Sequence, residues 1–245
     1  MTIEEIMNLH KHYQCEVKLF VKVCRRLARN LYVTGYGGNL AWKLEDDLLL
    51  ITPTQMNKGD IRRKDVVFVN LAGETVEGER RPTGELPMYL KFFHERPDIV
   101  SVIHCHAPAV GALAISGGEN YLMLPLYPET TTEIGPVPVV PYGQPLTQEL
   151  ADNFGPYLPK YNSFIMENHG LVTMSRGDIY WTLMNVELLE ATAQSILYAV
   201  QLGGGIKTLD YAAVKRLGEV MHLRNLPLFG APGVNASLEA LYFGE

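Results

Sequence analysis

The residues best suited to chemistry in this chain are the two histidines of His104-Cys105-His106. They follow an apolar run, residues 99–103, whose β-branched side chains predict a short buried strand. Side chains at positions i and i+2 of a strand project from the same face, so both imidazoles are expected to point to one spot. Two convergent imidazoles make half of a metal site.

A third ligand must come from a distant segment, because a catalytic zinc ion commonly takes three protein ligands and keeps one position open. His169 is the best candidate, since Gly170 permits close backbone approach and an apolar strand precedes the turn. The alternative for each histidine is an ordinary core residue. The sequence therefore predicts that His104, His106 and His169 bind Zn²⁺, with Mn²⁺ or Co²⁺ as possible substitutes.

Glu85 is the candidate acid/base. It lies in Arg81-Pro82-Thr83-Gly84-Glu85 at the expected start of a helix, where unpaired N–H groups favour anions. Beside a metal, its carboxylate would act as a general base on an acidified C–H or O–H group. The alternative is that Glu85 only complements the dipole of its helix.

Helices and strands alternate along the chain and must position these residues. The first predicted helix begins at a Thr2-x-x-Glu5 capping box and extends to Leu31. Further helices are predicted over Leu86–Glu95, Pro108–Ser116, Leu146–Phe154, Asp178–Leu202 and Asp210–His222. Strands are predicted over Leu40–Leu44, Leu48–Thr52, Val66–Asn70, Glu74–Val76, Val137–Val140, Ser163–Glu167 and Leu171–Met174. The hairpins imply a mixed or largely antiparallel sheet in one α/β domain, residues 1–245.

Composition excludes several classes of protein. A net charge of −6 argues against a general nucleic-acid binder, and the densest basic spots, Arg62-Arg63-Lys64 and Arg80-Arg81, are expected in solvated loops. Three cysteines are too few for a disulfide scaffold and fit a reducing compartment. No apolar window is long enough to span a membrane, and the N-terminus has no signal-peptide pattern. A cytoplasmic protein without membrane or nucleic-acid partners is expected.

The ordered motifs resemble those of the class II aldolase/adducin family, which includes fuculose- and rhamnulose-phosphate aldolases and ribulose-phosphate 4-epimerase. The resemblance covers about residues 15–205. The matching pieces are Gly38-Asn39, Ile51-Thr52-Pro53-Thr54, Pro82-Thr83-Gly84-Glu85, His104-x-His106, Val137-Pro138 through Gly143, and Asn168-His169-Gly170.

The resemblance implies a three-layer α/β/α sandwich around a mixed, mainly antiparallel sheet, and a homotetramer with active sites at subunit interfaces. It implies that His104, His106 and His169 bind Zn²⁺ and that Glu85 is the catalytic acid/base. Substrate phosphate would be bound by Asn39, Thr52, Thr54, Thr83 and Gly84. The activity implied is retro-aldol cleavage of a ketose, as a sugar 1-phosphate, to a dihydroxyacetone-type product and an aldehyde.

Alternatives stay open. Gln55 and Gly84 depart from the Gly and Ser that sugar-phosphate aldolases of this kind carry, so the substrate could instead bear a carboxylate. A metal-dependent decarboxylase or a pyruvate-type aldolase would use the same metal site. A 4-epimerase usually has Asp at the position of Glu85, and a non-catalytic adducin-like module has no need of the ligand set. A tyrosine often serves as second acid in the family, and Tyr127, Tyr142 and Tyr211 are the candidates.

Overall fold

The computed structural model describes residues 8–225 and 237–244. The helices are α1 (Leu9–His12), α2 (Gln14–Arg29), α3 (Leu86–Glu95), α4 (Pro108–Ala114), α5 (Pro128–Glu133), α6 (Gln148–Asn153), α7 (Ile179–Gln201), α8 (Tyr211–Leu223) and α9 (Leu238–Phe243). The strands are β1 (Asn39–Glu45), β2 (Leu48–Ile51), β3 (Val67–Val69), β4 (Thr75–Glu77), β5 (Ser101–Cys105), β6 (Val139–Val140), β7 (Ser163–Met166) and β8 (Gly170–Ser175).

The strands form a mixed sheet in the order β4-β3-β2-β1-β5-β8-β7-β6. Strand β1 pairs antiparallel with both β2 and β5, and β3 pairs antiparallel with β2 and β4. Strands β7 and β8 are also antiparallel, whereas β6 and β7 are parallel. An α/β fold with a mixed, mainly antiparallel sheet is therefore confirmed.

The chain divides into two compact units, and the first comprises residues 1–106, 143–152 and 174–183. Its core is built on strands β2 and β3, all of whose residues are buried, and on the apolar face of α2. That face has helical spacing, since Val17, Phe20, Cys24 and Leu27 are all buried. Helix α2 ends at Arg29, two residues before the predicted end at Leu31, because Leu31 has a positive φ of 59°. The Leu31 side chain is 63% exposed and does not join the core.

The second unit comprises residues 107–142, 153–173 and 184–245. Its core includes Phe154 and Phe164, whose rings pack edge to face at 5.3 Å between centroids. Helix α5 was not predicted, because the density of prolines in this region favoured short strands. Pro128 instead occupies the first turn of α5, where its fixed φ and missing N–H cost nothing.

Element bounds otherwise differ from prediction by a few residues. Helix α3 has the predicted bounds, with Pro87 in its first turn and Pro97 after its end. Along α7 the predicted inward residues Leu183, Val186 and Leu189 are fully buried, whereas Val200 is half exposed. The Thr2-x-x-Glu5 capping box lies outside the described residues. The prediction of a single domain stays a prediction.

Among the described residues, no helix combines the length and the apolar character needed to cross a bilayer.

Candidate active site

His104 and His106 lie at the end of β5 and turn their rings toward each other. His104 is 1% exposed, and His106 follows the last strand residue with its backbone N–H bonded to the Tyr32 carbonyl at 2.7 Å. The two Nε2 atoms are 3.1 Å apart. Convergence of both imidazoles on one spot, predicted from their i, i+2 spacing, is confirmed.

Two glycines before β1 make room for these histidines. A Cβ on Gly37 would lie 2.8 Å from the His106 Nδ1 atom. Gly38 has a φ of +67°, and a Cβ there would lie 2.9 Å from the His104 carbonyl oxygen and closer still to Val33. The glycine turn therefore permits β1 and the histidine ring to approach at van der Waals distance.

Glu85 is buried and directs its carboxylate at β1 and β5 rather than at its own helix. It is the N-cap residue of α3, but its side chain makes no capping hydrogen bond. Its Oε2 atom accepts a hydrogen bond of 2.7 Å from the Asn39 Nδ2 atom and lies 3.7 Å from the His104 Nε2 atom. Glu85 therefore contacts polar side chains of β1 and β5 besides lying at the start of its helix, and its role stays a prediction.

Asn39 reaches Glu85 because of strand register. Asn39 pairs with His104 across β1 and β5, so the amide and the imidazole start from neighbouring backbone positions. Two residues directly opposite each other on antiparallel strands have their Cα atoms within about 5.5 Å, whether or not they are hydrogen-bonded to each other. The pairing explains how two residues far apart in sequence come to share one carboxylate.

Tyr89 is a site residue that sequence reasoning missed. Its hydroxyl is fully buried and lies 2.6 Å from the Asn39 Oδ1 atom and 2.6 Å from the Asn39 carbonyl oxygen. Burial, and then the charge of Glu85, raise the pKa of Tyr89 well above its ordinary value, so the hydroxyl keeps its proton and donates. Donation to Oδ1 leaves the Nδ2 group of Asn39 directed at Glu85. The sequence signal that could have identified Tyr89 is its position four residues after Glu85, which places the two side chains on one side of the helix.

His169 lies in the turn between β7 and β8. Its N–H bonds to the Met166 carbonyl at 3.1 Å, and Asn168 before it has a positive φ of 53°. Asn is one of the few non-glycine types that adopt this conformation readily. The ligand nitrogens of His104, His106 and His169 all lie within 4.8 Å of one another.

The three imidazoles are donors of the type that a divalent transition metal takes, and one pair of them has the spacing of a tetrahedral site. Zn–N bonds of about 2.0–2.1 Å in a tetrahedral site place two ligand nitrogens roughly 3.3 Å apart. The His104 and His106 Nε2 atoms are 3.1 Å apart. Imidazole is a preferred ligand of zinc and related ions.

The predicted phosphate-binding residues are held together by backbone hydrogen bonds. The Thr83 N–H donates to the Thr52 carbonyl at 3.0 Å, and the Thr54 N–H donates to the Arg81 carbonyl at 3.0 Å. The Thr52 hydroxyl accepts from the Leu40 N–H at 3.1 Å, and the Thr83 hydroxyl accepts from the Glu85 N–H at 3.3 Å. The Thr83 segment is thereby tied to Glu85, the candidate acid/base.

Gln55 and Gly84 are the two positions that depart from the family's sequence pattern, and each has a distinct local environment. Gln55 has a φ of +52°, a conformation that favours glycine and costs another residue about 1–2 kcal/mol. A Cβ on Gly84 would lie 2.9 Å from the Leu146 Cδ2 atom. The absence of a side chain at Gly84 therefore leaves the space that the Leu146 side chain occupies.

A buried lysine, Lys58, joins the glycine turn before β1 to the turn that follows Gln55. The Lys58 Nζ atom donates to the Tyr36 and Met56 carbonyls at 3.0 Å each. Burial lowers the pKa of Lys58, and the nearby Glu85 carboxylate acts in the opposite direction. No sequence pattern singled out this residue.

The three candidate second acids are exposed: Tyr127 is 45%, Tyr142 is 48% and Tyr211 is 40% accessible. Their role stays a prediction.

Comparison with known proteins connects this geometry to one family. The model for the class II aldolase and adducin N-terminal domain matches residues 18–197. The L-fuculose phosphate aldolase of Methanococcus maripaludis is 33% identical over 175 residues, which is 71% of this chain and 92% of that relative. The 3-oxo-tetronate 4-phosphate decarboxylase of Pectobacterium atrosepticum is 31% identical over 167 residues, covering 67% of this chain and 76% of that protein. The crystal structure of YgbL from Klebsiella pneumoniae superposes with a TM-score of 0.75 at 31% identity, over 83% of this chain and 98% of that one.

Proposed function

Because this chain belongs to the class II aldolase/adducin family, whose aldolases are metal-dependent lyases, we propose that it cleaves a ketose 1-phosphate by a retro-aldol reaction. The products are a dihydroxyacetone-type phosphate and an aldehyde. The observation that carries the proposal is the position of the Glu85 carboxylate, 3.7 Å from the His104 imidazole. A general acid/base beside a ligand of a Lewis acid is the arrangement that this reaction requires.

His104, His106 and His169 would hold the metal, with Zn²⁺ as the proposed ion and Mn²⁺ or Co²⁺ as alternatives. When bound, the ion supplies Lewis-acid stabilisation of the negative charge that develops on the substrate oxygens as the carbon–carbon bond breaks.

Glu85 would move the proton at carbon. In the cleavage direction the C3–C4 bond breaks and the C4 hydroxyl passes its proton to a second acid/base as the aldehyde forms, for which Tyr127, Tyr142 and Tyr211 are the candidates. The electron pair left on C3 takes the proton of a protonated Glu85 carboxyl group, and the proton held by the second group returns the carboxylate to its starting state through solvent. Asn39 orients this carboxylate through its 2.7 Å hydrogen bond, and Tyr89 in turn orients Asn39. Tyr89 is therefore a positioning residue in this scheme.

Asn39, Thr52, Thr54, Thr83 and Gly84 would form the substrate pocket. The backbone ties between the Thr52 and Thr83 segments support a common pocket wall next to Glu85. A phosphorylated substrate is also supported by the names of both relatives, since each acts on a phosphate.

A decarboxylase is the second candidate function. The relative from Pectobacterium atrosepticum, 31% identical, is a 3-oxo-tetronate 4-phosphate decarboxylase. Loss of CO₂ from a 3-keto acid leaves an electron pair on carbon, which needs the same electrophilic stabilisation as the retro-aldol carbanion. The 4-epimerase and adducin-like alternatives have less support, because the chain has Glu at position 85 and keeps all three histidines.

The substrate is tested with a panel of ketose 1-phosphates, together with 3-oxo-tetronate 4-phosphate, on the purified protein. We expect release of an aldehyde from at least one ketose 1-phosphate. Release of CO₂ from the keto acid, with no aldehyde from any ketose, would assign the decarboxylase function instead.

The metal site is tested by metal analysis of the His104→Ala variant. We expect loss of bound metal and of activity, because a ligand has been removed. His94→Ala is the matched control, since His94 is exposed on α3. If His104→Ala still binds one metal per chain, the assignment is wrong.

A homotetramer with active sites at subunit interfaces is part of the proposal. Its support is the family resemblance, and light scattering of the purified protein measures the state directly.

A further inference from the structure

A basic cleft lies between α2 and the loop that precedes β3. Its volume is about 930 Å³. Six cationic side chains line it together with small or apolar residues, and these six define the basic cleft: Lys18, Lys22, Arg25, Arg29, Arg62 and Arg63. No acidic residue is among those that line it.

The cleft forms because two separate stretches of sequence bring their cations to one place. On α2, Lys18, Lys22, Arg25 and Arg29 follow each other at spacings of four, three and four residues, which places them on one helical face. The loop contributes Arg62 and Arg63, which were expected to lie in a solvated loop. Both arginines are indeed exposed, but they line a concave surface.

Two of the six cations are held in place by contacts of their own. The Arg25 Nη2 atom donates to the Ile61 carbonyl at 2.9 Å, which ties helix and loop together. The Lys22 Nζ atom lies 5.8 Å from the centre of the Tyr180 ring. Within residues 8–225 and 237–244, none of the six is paired with a carboxylate.

The charge is unusual for this chain. Its net charge is −6, yet six of its 21 Lys and Arg residues surround one cleft. Like charges gathered around a concave surface repel one another, and a bound anion relieves the repulsion. A folded protein has no stability gain from such an arrangement by itself.

We propose that the basic cleft binds a small polyanion with two or more linked phosphate groups. Linked phosphates match several cations at once, and the forks of the arginines fit phosphate oxygens in pairs. Nucleic acid is disfavoured, since no aromatic side chain lines the cleft for base stacking and the chain is acidic overall. The site is separate from the Glu85 and histidine residues and does not depend on the proposed function.

Calorimetric titration of the metal-loaded protein with tripolyphosphate tests the proposal. The test variant is Lys18→Gln, Arg29→Gln, Arg63→Gln, which leaves the anchored Lys22 and Arg25 unchanged. The matched control is Lys215→Gln, Arg216→Gln, Arg224→Gln, because these residues are exposed on or next to α8 and their loss changes the net charge equally. The control keeps the same active site, so any tripolyphosphate bound by the metal is common to both variants.

We expect the wild-type protein and the control to bind tripolyphosphate equally, and the test variant to bind it at least about tenfold more weakly. Affinity of the wild type should fall when the salt concentration rises from about 50 mM to about 200 mM. Without tripolyphosphate, the catalytic activity of the test variant on whichever substrate the wild type converts should equal that of the wild type, which separates this site from the catalytic one.

Three results would overturn the proposal. The first is equal affinity of all three proteins for tripolyphosphate. The second is sulfate binding as tightly as tripolyphosphate, which indicates a diffuse ionic attraction only. The third is tighter binding of short single-stranded RNA or of anionic lipid vesicles, which assigns the cleft to a macromolecular partner.

Discussion

Two buried glutamates in this molecule have the same side chain and similar burial but different kinds of partner. Glu85 is 5% and Glu190 is 1% exposed. Glu190 accepts hydrogen bonds from the backbone N–H groups of Ala109 at 2.9 Å and Val110 at 3.1 Å, and a longer one from the Gln194 side-chain amide at 3.3 Å. The two backbone donors belong to the first turn of α4, where no carbonyl of the helix can reach them.

Glu85 also lies at the start of a helix, and two polar side chains lie beside its carboxylate. It accepts from the Asn39 amide and lies beside the His104 imidazole. The main donors to Glu190 are fixed by the backbone of α4, whereas the two groups beside Glu85 are polar side chains from β1 and β5. Burial alone therefore does not distinguish the two carboxylates, and their partners lead us to predict a catalytic role for Glu85 and a structural role for Glu190.

The largest expected effect comes from Glu85→Gln. The change keeps the shape of the side chain and removes the acid/base group, so we expect kcat to fall by about 10²–10⁴-fold. The free energy of unfolding should change by less than about 1 kcal/mol, because the amide oxygen of the new side chain can still accept the hydrogen bond from Asn39. Steady-state kinetics and urea unfolding check the two parts. Retention of kcat within about threefold would remove Glu85 from the mechanism.

Glu190→Gln should show the opposite pattern. The amide loses charge-assisted hydrogen bonds to the start of α4, which typically contribute about 1.5–3 kcal/mol. We expect the free energy of unfolding to fall by that amount while kcat stays close to the wild-type value. The exposed residue Glu219 offers the control Glu219→Gln, which should leave unfolding unchanged. A kcat loss as large as that of Glu85→Gln would end the contrast between the two carboxylates.

Tyr89→Phe should give the smallest of the three effects. It tests the series of hydrogen bonds that links Tyr89 to Asn39 and Asn39 to Glu85. Loss of the hydroxyl frees the Asn39 amide to rotate, and we expect kcat to fall about tenfold with KM nearly unchanged. Because burial raises the pKa of Tyr89 well above its ordinary value, the group stays neutral across the assay range. The alkaline limb of the pH–rate profile should therefore be the same in variant and wild type.

A double variant sharpens this last prediction. If Tyr89 acts only through Asn39, then Asn39→Ala with Tyr89→Phe should lose no more activity than Asn39→Ala alone. Tyr198→Phe is the control, since Tyr198 is 63% exposed. Additive losses would mean that Tyr89 acts on the site by another route.

Much of the fold and part of the site could be predicted from local patterns. The i, i+2 spacing of His104 and His106 on an apolar strand predicted their convergence, which the 3.1 Å separation confirms. Pro97 predicted the end of α3, because a proline restricts the backbone of the residue before it. Helix α5 was missed, since a six-residue helix among prolines has no periodic pattern long enough to recognise.

The sequence by itself determined the family, through a set of candidate residues that occur together in it. It could not determine that Asn39 would bond to Glu85, that Tyr89 would orient Asn39, or that Arg62 and Arg63 would face the cations of α2. Those contacts join residues separated by up to 50 positions, and strand register and helix packing decide them. Spacing along the chain predicts neighbours within one helix or strand, whereas only tertiary structure chooses between partners on different elements.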